Sequence, residues 1–159
     1  MNEIFASHQE RARQLRTSTV AERKEKLRKI LKWIYANRAE LATAVYEDLG
    51  KNPSQVELTE ILPVTTEIKL ALRNLHKWAR QKRVPTSIHF LGTSSYIKYE
   101  PKGTNLIIAP WNYPFNLTMS PLVSAIAAGN TAIIKPSERI SATTNVLKRL
   151  TEDLFDASE

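Results

Sequence analysis

One loop of the sequence carries residue types that could stabilise a developing negative charge. The stretch APWNYPF, residues 109–115, follows the apolar run NLII and places Asn112 between two prolines. Pro110 and Pro114 push the residues before them into extended conformations, so the loop has little conformational freedom. A side-chain amide offers two N–H donors without adding a charge, and such a donor stabilises an oxyanion placed about 3 Å away. Asparagine also closes turns through its own backbone, so both interpretations stay open.

A second polar stretch, KPSE, follows the apolar run TAII. Lys135 could donate to the vicinal hydroxyls of a ribose, and Glu138 could accept from them. A lysine after a strand and a glutamate in the first turn of a helix are also what solubility and the helix dipole favour. No G-x-G-x-x-G follows either apolar run, so the ordinary dinucleotide fingerprint is absent.

The two apolar runs are predicted to be neighbouring strands of a parallel sheet. Each is short and uninterrupted, as expected of a strand that is buried on both faces. Between them, residues 116–128 are predicted to form a helix that ends at Gly129, and residues 141–155 to form a further helix. This order predicts an α/β fold, the first βαβα of a doubly wound, Rossmann-like parallel sheet, in which ligands bind beyond the carboxyl ends of the strands. Two strands leave such a sheet incomplete.

Residues 1–84 are predicted to form helices. Three capping boxes predict where helices begin: Thr19 with Glu22, Asn37 with Glu40, and Ser54 with Glu57. Gly50 is expected to end the second helix in a left-handed conformation. The third helix is expected to run to about Val84, because Pro85 forces the residue before it out of the helical region, and Pro63 is expected to kink it.

Residues 85–102 are predicted to form a β-hairpin. The segment SIHFLGTSSYIKYE alternates apolar and polar residues on both sides of a turn at residues 92–95. The sequence therefore divides into N-terminal helices over residues 1–84, a hairpin over residues 85–102 and the start of the parallel sheet over residues 103–159.

Composition narrows the range of functions. With 42% hydrophobic and 25% charged residues, the chain is typical of a soluble globular domain. It has no apolar run long enough to span a membrane and no apolar signal core at its start, so we expect a cytoplasmic protein without a membrane span. Cysteine is absent, which excludes disulfides, thiolate metal sites and a cysteine nucleophile within these 159 residues. The three histidines are scattered and predict no metal site.

The charge of the chain raises an alternative function. The net charge of +7 comes from residues 1–83, since the remainder carries equal numbers of acidic and basic residues. A basic helical half could make the chain a non-catalytic interaction module that binds an acidic partner or nucleic acid. Interleaved glutamates instead indicate solvated faces of amphipathic helices, so we expect no nucleic-acid binding. These glutamates are Glu22, Glu25, Glu57, Glu60 and Glu67.

The stretch APWNYPFNLTMSPLVSAIAAGNTAIIKPSE, residues 109–138, resembles one segment of the NAD(P)+-dependent aldehyde dehydrogenases. In that family the segment holds the oxyanion-hole asparagine and the contacts to the adenosine ribose. The helical start and the hairpin are similar in order and length to the N-terminal part of the family, particularly its class 3-like members. The resemblance covers essentially the whole chain, and it implies the N-terminal portion of an enzyme that oxidises aldehydes to carboxylic acids.

The resemblance implies roles for individual residues. Asn112 matches the catalytic asparagine whose side chain holds the thiohemiacetal oxygen, and Trp111 flanks the nicotinamide end of the site. The cofactor contacts that the resemblance implies are Pro110, Trp111, Lys135, Ser137 and Glu138. Glu138 would repel a 2′-phosphate, which favours NAD as the cofactor without excluding NADP.

The resemblance also implies parts that these 159 residues lack. In the family a cysteine thiolate attacks the aldehyde, a hydride passes to the nicotinamide, and a glutamate activates the water that releases the acid. The nucleophile, the general-base glutamate and the Gly-rich cofactor turn match no position of this sequence. The isolated chain is therefore predicted to be inactive and not to bind NAD tightly. An aldehyde substrate and a homo-oligomer, with a dimer expected, belong to the full-length enzyme.

Overall fold

A computed structural model describes residues 2–159 of the chain. Its α-helices are α1 (Asn2–Leu15), α2 (Val20–Ala36), α3 (Arg38–Leu49), α4 (Pro53–Val56), α5 (Leu62–Trp78), α6 (Pro114–Ala128) and α7 (Ser141–Leu154). A π-helical turn, Glu57–Ile61, joins α4 to α5. The strands are β1 (Lys82–Val84), β2 (Ser95–Ile97), β3 (Thr104–Ile108) and β4 (Thr131–Lys135).

The first predicted helix start is confirmed, whereas the second capping box is wrong. At the start of α2 the Thr19 hydroxyl accepts from the backbone N–H of Glu22 at 3.2 Å, and the Glu22 carboxylate accepts from the N–H of Thr19 at 2.6 Å. Asn37 precedes α3, but its side-chain amide donates to the Trp33 carbonyl at 2.8 Å and does not cap α3. Because Asn37 also ends α2, its amide completes the preceding helix. Gly50 ends α3 at φ 68°, as predicted.

The third helical segment begins earlier than predicted. Asn52, and not Ser54, caps α4 by accepting from the backbone N–H of Gln55 at 2.9 Å. Pro53 occupies the first helical position, where its missing N–H costs no helical hydrogen bond. The predicted box at Ser54 is therefore wrong, because the stronger signal is the asparagine directly before the proline.

The same helical segment ends earlier than predicted. Pro63 is the second residue of α5, and the π-helical turn lies directly before that helix; the kink at Pro63 stays a prediction. A proline cannot donate to the carbonyl four residues back, and the wider π-helical turn accommodates the missing hydrogen bond. α5 ends at Trp78 and not near Val84, because Lys82–Val84 forms strand β1.

One apolar core joins the helices to one face of the parallel sheet. Phe115 and Met119 of α6 are fully buried and belong to a cluster that includes residues of α2, α5 and α7. On β3, Ile107 faces this core, whereas Leu106 and Ile108 are 63% and 70% exposed. The prediction that this strand is buried on both faces is wrong for residues 2–159, because none of their elements covers Leu106 and Ile108.

β3 and β4 run parallel and are connected by α6, as predicted. The strands pair from Thr104 with Thr131 to Ile108 with Lys135, and α7 follows β4. Gly129 ends α6 at φ 87°, a conformation that lets the chain turn directly into β4. The βαβα unit of an incomplete, Rossmann-like sheet is thus confirmed.

A hairpin is present, but its first strand lies earlier than predicted. β1 (Lys82–Val84) pairs antiparallel with β2 (Ser95–Ile97). The first strand therefore ends before Pro85, since a proline cannot donate to the hydrogen-bond ladder. A 3₁₀ turn, Ile88–Phe90, occupies part of the segment in which alternation predicted a strand. The division of the chain at residues 84 and 102 stays a prediction.

Candidate functional site

The polar stretches that follow β3 and β4 leave the sheet at the same edge. Ile108 pairs with Lys135 at the carboxyl ends of the two strands, and the N–H of Ala109 donates to the Lys135 carbonyl at 3.1 Å. Residues 109–113, called the APWNY loop below, and residues 135–138, called the KPSE turn, therefore begin side by side. This is the edge at which open α/β sheets bind ligands.

The side chain of Asn112 has no role in the packing of residues 2–159. It is exposed, and within residues 2–159 its amide forms no hydrogen bond. Its backbone carbonyl, by contrast, accepts from Lys51 Nζ at 2.7 Å. An asparagine that closes a turn uses its side chain on nearby backbone groups, and the described part of the chain has no such bond here. The loop therefore presents a carboxamide with two N–H donors.

The APWNY loop is anchored at both ends. Ala109 continues the pairing with β4, and Phe115, directly after the loop and Pro114, is fully buried in the core. Pro114 takes the first position of α6, which its fixed φ favours. The residues between these anchors are exposed: Pro110, Trp111, Asn112 and Tyr113. The loop thus presents two aromatic side chains next to the amide.

A buried ion pair that sequence reasoning missed contacts the APWNY loop. Lys51 Nζ donates to Glu60 Oε1 at 2.7 Å, and the two side chains are 11% and 0% exposed. Lys51 Nζ also lies 4.0 Å from the centroid of the Tyr113 ring. Glu60 Oε2 accepts from the backbone N–H of Asn116 at 3.0 Å. The ion pair therefore binds the chain on both sides of Pro114.

The sequence pattern misjudges the environment of Glu60. Interleaved glutamates predict a solvated side chain at this position, and that prediction is wrong because Glu60 is fully buried. A signal for its burial is present in the sequence. Glu60 stands in a row of residues spaced by four, whose other members are buried: Val56, Val64 and Ile68. An acidic residue within an apolar row indicates a buried partner, which here is Lys51.

The KPSE turn holds an exposed ion pair. Lys135 Nζ donates to Glu138 Oε1, and both side chains are exposed. This hydrogen bond, a bond from the backbone N–H of Glu138 itself and the charge of Lys135 lower the pKa of Glu138, so the carboxyl is ionised at neutral pH. Ser137 Oγ accepts from the N–H of Arg139 at 3.3 Å. An ionised carboxylate beside an ammonium group fits the donors and acceptors of a ribose.

The sequence of the chain matches a known protein family over almost its whole length. The model that describes the aldehyde dehydrogenase family matches residues 1–156. The chain belongs to the aldehyde dehydrogenase family. The resemblance of residues 109–138 to this family is thereby confirmed.

Curated relatives and a solved structure extend the match. The chain is 48% identical over 142 residues to 4,4'-diaponeurosporen-aldehyde dehydrogenase of Staphylococcus aureus. This match covers 89% of this chain and 31% of that protein. It is 42% identical over 143 residues to aldehyde dehydrogenase family 3 member B1 of Homo sapiens, covering 90% and 31%. The solved substrate-bound state of Staphylococcus aureus AldH matches with a TM-score of 0.94 and 44% identity, over 99% of this chain and 34% of that one.

The chain spans about a third of the length of these aldehyde dehydrogenases. The likeness to family 3 members confirms the predicted similarity to class 3 enzymes. The match covers only 34% of the solved relative. This partial coverage agrees with a Rossmann-like sheet that has only two strands and one open face in the described part of the chain.

The basic half of this aldehyde dehydrogenase chain uses part of its charge within the fold. Arg23 donates to the carbonyls of Ala127 and Ala128 at the end of α6, at 3.4 and 3.0 Å, and burial lowers its pKa. Lys26 pairs with Glu159. These two cations of the run RKEKLRK therefore bind other parts of the chain. The interaction-module alternative stays a prediction.

Within residues 2–159, no group of three or more histidine or carboxylate side chains is arranged to hold a metal ion. No helix in the same part of the chain combines the length and apolar character that a membrane crossing requires.

Proposed function

We propose that these 159 residues form the first part of an NAD(P)+-dependent aldehyde dehydrogenase, a cytoplasmic enzyme that oxidises aldehydes to carboxylic acids. The observation that carries this proposal is the free Asn112 amide at the sheet edge that also bears the KPSE turn. Aldehyde oxidation requires an oxyanion donor near the bound cofactor. Membership of the family supports the same assignment.

In this proposal Asn112 is the oxyanion donor. When a nucleophile adds to the aldehyde carbonyl, the carbonyl oxygen gains negative charge, and the neutral amide donates an N–H to it. The donor is effective because the APWNY loop holds it before the reaction begins, so little reorganisation is needed. Loss of one such donor lowers kcat by about 10²–10³.

The KPSE turn and part of the APWNY loop bind the cofactor. Lys135 donates to the adenosine ribose, Glu138 accepts from its hydroxyls, and Ser137 shapes the turn between them. Pro110 and Trp111 flank the nicotinamide end of the site. When bound, NAD accepts the hydride that leaves the substrate. The ionised Glu138 repels a 2′-phosphate, which favours NAD over NADP.

The isolated chain is inactive in this proposal. It has no cysteine, so it cannot form the thiolate that attacks the aldehyde, and the general base and Gly-rich turn are also missing. NAD therefore binds it only weakly. The whole enzyme takes an aldehyde substrate and assembles as a homodimer, and elements outside these 159 residues cover the sheet face that bears Leu106 and Ile108.

A chimeric enzyme tests the proposal. Residues 1–156 of this chain, which match the family, replace the corresponding segment of Staphylococcus aureus AldH, whose structure matches 99% of this chain, and NADH formation is measured with a set of aldehydes. The parent chimera is expected to oxidise an aldehyde, and Asn112→Ala to lower kcat by about 10²–10³. Asn145→Ala, on the exposed surface of α7, is the matched control and should leave kcat unchanged.

Three outcomes would contradict parts of the proposal. A folded parent chimera without activity would contradict the enzyme assignment. A folded Asn112→Ala chimera that works as fast as its parent would contradict the oxyanion role. The 159-residue chain, incubated with NAD and the same aldehydes, should form no NADH, and turnover above background would contradict its inactivity.

A further inference from the structure

We infer that the buried ion pair of Lys51 and Glu60 positions the Asn112 amide. The inference rests on the proposed oxyanion role of Asn112. Lys51 and Glu60 are positioning residues and not catalytic residues, because they bind the backbone of the loop and of the first turn of α6. Their effect on the reaction passes through the position of the Asn112 side chain.

The ion pair fixes the backbone from which the amide projects. Lys51 Nζ donates to the Asn112 carbonyl at 2.7 Å, and Glu60 Oε2 accepts from the N–H of Asn116 at 3.0 Å. The bond to the Asn112 carbonyl fixes the peptide group next to the Cα that carries the amide. Since charge-assisted hydrogen bonds are shorter and stronger than neutral ones, the loop conformation depends on this pair.

Glu60 also supplies a cap that α6 lacks. Tyr113 precedes the helix, and its side chain forms no capping hydrogen bond. The N–H of Asn116 in the first turn therefore needs an acceptor from elsewhere, and the Glu60 carboxylate is that acceptor. The positive end of the helix dipole stabilises a carboxylate at this position. One side chain thus fixes the start of α6, while its partner Lys51 fixes the loop before it.

The π-helical turn brings two consecutive residues to the start of α6. Asn116 Nδ2 donates to the Thr59 carbonyl at 3.1 Å, and the N–H of Asn116 donates to Glu60. The Thr59 carbonyl cannot accept from Pro63, four residues later, because proline has no N–H. π-helical turns are frequent at functional sites. This one holds the helix that follows the Asn112 loop.

Stability alone does not explain charged residues at these two positions. A buried ion pair can often be replaced by apolar residues of similar volume with little loss of stability. Such a replacement would leave the Asn112 carbonyl and the Asn116 N–H without their partners. The charge of the pair is therefore explained by what it binds, which is the backbone on both sides of Pro114.

The first test measures the order of the loop in the 159-residue chain itself. The variant Lys51→Met/Glu60→Leu removes both backbone contacts without leaving an unpaired buried charge. Backbone ¹⁵N order parameters of residues 111–113 are expected to fall from about 0.85 to below about 0.6. The exposed pair of Arg38 and Glu57 provides the control, Arg38→Gln/Glu57→Gln, which should leave them unchanged. Unchanged order in the Lys51/Glu60 variant would overturn the inference.

The second test measures kinetics in the chimera described above. Lys51→Met/Glu60→Leu is expected to lower kcat about 10- to 100-fold with a smaller change in KM, because a displaced donor affects the transition state more than substrate binding. Lys51→Arg retains an N–H donor and should keep more of the activity. In an Asn112→Ala background the Lys51/Glu60 change should have little further effect.

The kinetic outcomes separate the inference from the function on which it rests. If the losses from Asn112→Ala and from Lys51→Met/Glu60→Leu add fully, the ion pair acts independently of Asn112, and the positioning inference is wrong. If Asn112→Ala is as active as its parent, the proposed oxyanion role itself is wrong. If Asn112→Ala loses activity but the Lys51/Glu60 variant does not, the inference alone fails.

Discussion

A large loss of stability is expected from Lys51→Met. The change removes the ammonium group from Glu60, whose side chain is 0% exposed, and leaves the carboxylate with the N–H of Asn116 as its remaining donor. Removing one partner of a buried ion pair costs about 3–5 kcal/mol, because the other charge stays in a poorly solvated environment. The Lys51 side chain is 11% exposed, so some water reaches the pair, and we expect a loss of about 3 kcal/mol.

Two further variants separate the effect of charge from that of packing. Lys51→Met/Glu60→Leu removes both charges while keeping apolar volume, so it should recover at least half of the stability lost in Lys51→Met. Arg38→Met breaks the pair with Glu57, whose two side chains are 46% and 37% exposed. Exposed ion pairs contribute about 0–1 kcal/mol, and this variant should lose no more than that.

Urea unfolding followed by tryptophan fluorescence measures these differences. The free energy of unfolding and the slope of its dependence on urea are compared among the parent chain and the three variants, and equal slopes show that the same surface is exposed. A loss from Lys51→Met no larger than that from Arg38→Met would refute the reasoning about the buried charge. Equal losses from Lys51→Met and from the double variant would show that packing, and not charge, decides the stability.

Three other predictions concern separate parts of the chain. Burial lowers the pKa of His8 from its ordinary 6.5, so the unfolded chain binds the proton more tightly and the free energy of unfolding should fall as pH drops below that value. His8→Gln should weaken this dependence in urea titrations, and a similar weakening from exposed His76→Gln would contradict the assignment. Gly129→Ala should lower the free energy of unfolding by about 1–3 kcal/mol in the same assay, because φ is 87° and a Cβ would lie 2.6 Å from Arg23 Cζ. An unchanged free energy of unfolding would show that the end of α6 can rearrange. Glu138→Gln in the chimera should lower KM for NADP relative to NAD, and an unchanged ratio would argue against a contact with the ribose.

The candidate site could be predicted from the sequence because its signals are local. The apolar runs before Asn112 and Lys135 define β3 and β4, and the glycine after α6 marks the turn between helix and strand. Parallel strands joined by one helix place their carboxyl ends together whatever the surrounding packing. These signals alone predict that the APWNY loop and the KPSE turn lie next to each other.

The supports of the site depend on residues that are distant along the chain, and the sequence pattern did not predict them. Glu60 belongs by its spacing to an apolar row, and only the approach of Lys51 and Asn116 explains a carboxylate there. The strand Lys82–Val84 is short and basic, and it forms because β2 pairs with it. Local propensity carries little information about such partners.

The hydrogen bonds that fix Asn112 come from two different parts of the chain. The strand before its loop, β3, is paired with β4, whereas the Asn112 carbonyl is bound by Lys51, which lies between α3 and α4. A small rotation of these helices against the sheet would displace the amide before any strand pairing broke. In the proposed enzyme, mutations that shift the packing of α3 or α4 would therefore change the reaction rate from positions that never touch the substrate.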